Sequence, residues 1–90
     1  MKRSIWKYKI LKDGCFHGIP KNSNFLAVSM QGRDICLWVE VAVEAPTEKR
    51  WFRVVGTGWD LPDDVIDYIG TVQQGDCVWH VYEYQPGGRL

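Results

Sequence analysis

The sequence predicts an all-β domain of about six mainly antiparallel strands in a small barrel or sandwich. At most one short helical turn interrupts it. Three observations predict this class. Bulky apolar residues recur at every second position, most clearly in Ile35, Leu37, Val39, Val41 and Val43, which is the period of a strand with one buried face. Glycine-bearing turns separate such runs at Asp13-Gly14, Gln31-Gly32-Arg33-Asp34 and Gln74-Gly75-Asp76. Only Pro62 to Asp67 carries helix-start chemistry, with proline at a first helical position and acids that complement the helix dipole.

Taken in order, Ser4 to Ile10 alternates Trp6, Tyr8 and Ile10 with Lys7 and Lys9. Lysines on one face also suit an edge strand, where they discourage further pairing. Cys15 to Ile19 reads as a short strand ended by Pro20, and Phe25 to Gln31 as a longer one. The run from Ile35 to Val43 places its β-branched face in the core and sets Cys36, Trp38, Glu40 and Ala42 on the other side. Ala45 to Arg50 has the length of a hairpin connection. Trp51 to Val55 is therefore expected to pair with the Ile35–Val43 strand, before Gly56-Thr57-Gly58 ends it. Tyr68 to Gln73 and Cys77 to Tyr84 form a final hairpin. The single domain is expected to span residues 1–84, with 85–90 as a flexible tail.

Ninety residues suffice for one domain with a modest core, and a chain of this size gains extra burial by oligomerising. Eleven basic and eleven acidic side chains cancel, which argues against non-specific DNA or RNA binding and against a polybasic membrane surface. No run reaches the roughly 20 apolar residues of a membrane helix, and no apolar segment follows the basic N-terminus as in a signal peptide. The expected compartment is the cytoplasm. Cys15, Cys36 and Cys77 stand far apart and make no metal-ligand spacing, so neither a metal nor a cofactor is expected.

Catalytic patterns are missing as well. No serine sits in a nucleophile elbow, and Asp60, Asp63, Asp64 and Asp67 miss the calcium-loop spacing. The chain is therefore expected not to be an enzyme. Its strongest oddity is five tryptophans. Trp6 and Trp79, in alternating strand runs, are expected in the core. Trp59 follows Gly58 in a loop, the position of a lid, an interface anchor or a cap on the end of the barrel. Arg50 and Arg53 flank Trp51, a pattern in which guanidinium groups grip phosphate while a ring stacks on a base. The bland alternative is a solvated turn with Glu44 and Glu48 as counterions. Gly56, Thr57 and Gly58 offer backbone donors to an anion, or simply end a strand. The candidate ligand-binding set is Arg53, Arg50, Trp59, Trp51, Trp38, Gly56, Thr57, Gly58 and His80.

Several segments carry a resemblance. Ile5-Trp6-Lys7, Leu37-Trp38, Glu44-Ala45-Pro46, Val55-Gly56-Thr57-Gly58, Tyr68-Ile69-Gly70-Thr71-Val72 and Val78-Trp79-His80-Val81 make the chain similar to a family of small phage and prophage proteins. The family pattern has histidine more often at the position of Trp59. The resemblance implies a shared fold over almost the whole chain and transfers no catalytic motif. In character such proteins are similar to phage sponge proteins, homo-oligomers that enclose a cyclic or ADP-ribose-type nucleotide between aromatics and arginines. The implied function is an anti-defence protein that sequesters a nucleotide-derived immune signal in the cytoplasm of an infected bacterium. Two readings compete with it: a protein-interaction module docking through Trp38 and Trp59, and a small hydrolase using His80 with an aspartate.

Overall fold

The computed structural model describes residues 2–87, and they form a two-layer β-sandwich without a helix. Seven strands follow one another: β1 (Arg3–Ile10), β2 (Cys15–Pro20), β3 (Asn24–Gln31), β4 (Asp34–Ala42), β5 (Thr47–Gly56), β6 (Val65–Gln74) and β7 (Cys77–Tyr84). Sheet A has the order β1-β4-β3 and sheet B the order β2-β5-β7-β6, with every pair antiparallel. The all-β expectation holds, as a sandwich and not as a closed barrel.

The core follows from strand alternation. Ile35, Leu37, Val39 and Val41 of β4 turn inward, and Phe52 and Val54 of β5 with Val81 of β7 meet them from sheet B. β-branched residues dominate because they fill a pleated surface at little rotamer cost. On the side where β3 and β6 meet, Gly70 makes the approach possible. A Cβ there would stand 3.2 Å from the Val28 side chain. On the opposite side, His17 of β2 donates its Nε2 proton to the Lys9 carbonyl of β1 at 2.7 Å, stitching the two sheets together.

Three expectations are corrected. Trp51–Val55 does not pair with β4: residues 43–46 carry the chain from sheet A to sheet B, where β5 lies between β2 and β7. Alternation determines which face of a strand is buried, and a short connection fits a corner as well as a hairpin. The segment from Pro62 to Asp67 is no helix, because Val65 already pairs with Tyr84 in β6. Trp6 is no core residue either. It faces inward opposite Val39, but on an edge strand that leaves it 38% exposed. Trp79 does pack against the core. Of the proposed tail, Gln85 donates its backbone N–H to the Asp64 carbonyl at 2.9 Å, and residues 88–90 lie outside the described residues.

Candidate functional site

The connection from β5 to β6 must cross β7, because β7 lies between them in the sheet. It does so over the outer face, where Asp64 accepts a hydrogen bond from Arg53 Nη2 at 2.7 Å. The crossing explains why Val55, an outward residue, is almost fully buried. It starts with a tight turn in which the Trp59 N–H donates to the Gly56 carbonyl at 3.1 Å, and Gly58 takes a φ of 88° that a side-chain-bearing residue rarely adopts.

That turn sets Trp59 upright. Its indole lies across Gly56 so closely that a Cβ at position 56 would come within 2.7 Å of the ring. It meets the Trp79 ring edge-on, with centroids 5.7 Å apart at 77°, a favoured aromatic geometry. Trp79 is itself fixed: its Nε1–H donates to Gln74 Oε1 at 3.1 Å, and Lys12 Nζ sits 4.8 Å from its ring centre. Trp59 nevertheless remains 61% exposed.

The standing indole separates open depressions. On one side an open groove of about 420 Å³ is lined by Gly56, Thr57, Asp76, Cys77 and Trp79. On the other, a recess of about 210 Å³ lies among Val55, Gly58, Leu61, His80 and Tyr82. A third, of about 230 Å³, opens toward Lys12, Arg53 and Asp60. Trp59 borders all three.

His80 is held by hydroxyl groups. Its Nε2 lies 2.8 Å from Thr57 Oγ1 and its Nδ1 3.0 Å from Thr71 Oγ1, which in turn bonds the Tyr68 hydroxyl. Thr57 Oγ1 has the Val78 carbonyl as its acceptor at 3.4 Å. Donors and acceptors then run in one direction: Tyr68 to Thr71, Thr71 to Nδ1, Nε2–H to Thr57, and Thr57 to Val78. Neither ring nitrogen bonds a carboxylate, so the histidine–aspartate pairing of the hydrolase reading is not formed. Among the described residues no three His, Cys, Asp or Glu side chains are grouped to hold a metal ion.

Of the nine candidate residues, the fold gathers Gly56, Thr57, Gly58, Trp59 and His80 at one place and puts Arg53 in the adjoining recess. Trp51 stands on the outer face of sheet B between Phe16 and Tyr84, with ring centroids 4.8 and 6.1 Å away. Arg50 points the other way, into the sandwich. It bonds both carboxylate oxygens of the buried Glu83, and its guanidinium lies 4.7 Å from the Phe25 ring centre. The hydrogen bonding to Glu83, reinforced by the carboxylate's charge and opposed by burial, holds the Arg50 guanidinium above its ordinary pKa. Trp38 is on the outer face of sheet A, donating to Ser29 Oγ at 2.8 Å. Sequence reasoning missed Lys12, Gln74 and Cys77. Lys12 comes to Trp79 from the distant β1–β2 connection, and the β6–β7 turn folds Gln74 and Cys77 back beside the same ring.

The chain matches, over residues 1–89, the family described as a domain of unknown function, DUF7352, and it belongs to that family. No curated protein and no solved structure matches it.

Proposed function

We propose that this DUF7352 protein is a non-catalytic binding protein that sequesters a nucleotide-type signal, cyclic or ADP-ribose-derived, without cleaving it. The observation that carries the reading is the Trp59 indole: braced by Trp79 and Gly56, largely exposed, with an open depression on each side. A braced ring stacks on a planar base without first losing rotamer freedom. Around it stand the groups a nucleotide needs. Gly56 and Gly58 let backbone approach, Thr57 offers a hydroxyl, and Arg53 lies next to the ring.

Arg53 suits phosphate recognition because its own pair is incomplete. One bond joins it to Asp64, while Arg53 Nε and Asp64 Oδ1 are buried without a hydrogen-bond partner. A phosphate oxygen would supply the acceptor that Nε lacks. Lys12 and Arg53 line the third depression, with Asp13 and Asp60 at its border, whereas the groove holds Asp76 and no cation, so phosphate belongs on the Arg53–Lys12 side and the base in the groove. In this reading, which draws on the resemblance to phage proteins, the protein is an anti-defence homo-oligomer acting in the cytoplasm of the infected host.

The test is a melting shift against cyclic dinucleotides and ADP-ribose derivatives, followed by recovery of the ligand. Ligand at about 100 times its dissociation constant adds roughly 2.7 kcal/mol. The shift is expected to disappear in Gly56→Ala, whose methyl group displaces the indole, and in Trp59→Ala. No shift across the panel, or recovery of a cleaved product, overturns the reading.

A further inference from the structure

We propose that the outer face of sheet B is the surface on which a second copy of this chain docks, forming an isologous two-fold pair. The proposal stands on this face alone and does not depend on the ligand. Register places Phe16, Trp51 and Tyr84 in one row across β2, β5 and β7, and Tyr82 and Tyr68 in the next across β7 and β6. Phe16 is 49% exposed and Tyr68 57%, with Leu61 standing on the crossing loop between β5 and β6. Water gains nothing from solvating these rings, and covering them is favourable in proportion to the area removed.

Charge decides the occupant. A nucleic acid or an acidic protein would require cations that project from this face, yet its two cations lie over the face's own rings. Arg53 is paired with Asp64 and lies 4.3 Å from the Tyr84 ring centre. Lys49 sits over the rings of Phe16 and Trp51, at 4.5 and 5.6 Å. Ring faces capped in this way are closed to a stacking base, while tyrosine, tryptophan, phenylalanine and arginine are side chains enriched in protein interfaces. A partner with the same capped aromatics and no net charge is a second copy of this neutral chain. The area suffices. Four strands about 4.8 Å apart and about eight residues long, with the crossing loop presenting part of the surface, offer roughly 500 Å² per copy, or about 1,000 Å² for the pair, the lower bound of a specific interface. Tyr82 belongs both to this face and to the recess beside Trp59, so a docked copy adds a wall to that recess.

Sedimentation equilibrium of the ligand-free protein over a wide concentration range tests the proposal. The expected mass is twice the 10.4 kDa of the chain. Phe16→Glu and Tyr68→Glu, at positions already half exposed, should each weaken the pair at least about tenfold. Ile5→Glu, equally exposed on the outer face of sheet A, should leave it intact. Unchanged circular dichroism shows that the variants fold. A wild-type monomer at every concentration overturns the proposal. So does a dimer lost on Ile5→Glu and kept on Phe16→Glu. A monomer whose Trp51 fluorescence is quenched by single-stranded oligonucleotide would give the face to nucleic acid instead. Trp59→Ala should leave the dimer unchanged, so failure of the pair and failure of the binding reading give different results.

Discussion

The outer faces of the two sheets differ in how they treat their charges. On sheet A, cations meet anions or amides. Arg3 pairs with Glu40 at 2.7 Å, Lys9 with Asp34 at 3.3 Å, and Lys7 bonds Gln31 while lying near Trp38. On sheet B, Lys49 and Arg53 lie on aromatic rings, and the crossing loop folds over the same surface. Strand alternation is the same in both sheets and fills one interior. What differs is the outward set: on sheet A paired charges surround an exposed Ile5, whereas on sheet B rows of rings with capped faces leave aromatic area that solvent does not satisfy. The aromatic residues underline the contrast. Among five tryptophans, four tyrosines and three phenylalanines, Phe52 is the one that is fully buried. The rest of the fully buried interior is aliphatic, Tyr8, Phe25 and Trp79 pack at its margin, and the other aromatic residues stand toward the surface.

The largest effect should come from testing that division within one strand. Phe52 and Trp51 are neighbours on β5 that point in opposite directions. Phe52 is enclosed by the core and meets Phe25 at 5.8 Å and 64°. Phe52→Ala should cost about 3–5 kcal/mol, the loss of burial plus an unfilled cavity. Trp51→Ala should cost less than half as much, measured by urea unfolding at concentrations where the chain is monomeric. Equal losses would break the contrast, because Trp51 would then be a core residue of the single copy.

A smaller effect should follow from breaking the ion pair between the layers. Glu83 is buried on β7 and holds Arg50 by two bonds. Glu83→Ala removes both of these hydrogen bonds and leaves the guanidinium the Glu48 carboxylate at 3.6 Å. The cost should therefore fall at the lower end of the about 3–5 kcal/mol typical of a broken buried pair, the more so because Arg50 keeps 24% of its side-chain exposure. Replacing both residues with apolar ones of similar volume should recover most of the loss. If Glu83→Ala melts like wild type, the pair contributes no more than the surface pairs of sheet A.

These residues also show where sequence reading succeeds and where it stops. The faces of β4, the hairpins at Gln31–Asp34 and Gln74–Asp76, and the glycine exit after Val55 were legible, because each depends on local period or turn chemistry. Trp59 was legible as a loop tryptophan. Its bracing was not, since Trp79 meets it from another strand and is itself fixed by Gln74 and by the distant Lys12. Arg50 and Arg53 look equivalent in sequence, yet three residues along a strand reverse the face, sending one to Glu83 and the other to Asp64. The partner of β5 was not legible either, because alternation specifies what a strand buries and is silent about its neighbour.

The smallest expected effect sharpens the comparison from the side of sheet A. The hydrogen bond from Arg3, reinforced by its charge and by Asn24, holds the Glu40 carboxyl below the usual carboxylate range against a slight opposing effect of burial. Because the folded pKa is depressed, the pair contributes its stability above the unfolded value of about 4.3, and that contribution is lost as pH falls through the folded pKa. In Arg3→Ala, the Glu40 carboxyl should titrate upward toward the ordinary value when followed by NMR. The melting temperature at neutral pH should barely move, since an exposed pair is screened by solvent and salt. Any small difference between variant and wild type should close in acid, where both carboxyls are protonated. A large neutral-pH loss, or a Glu40 titration indifferent to Arg3, would mean that sheet A's charges do more than keep its outer face hydrated, and the contrast with sheet B would have to rest on the aromatic residues alone.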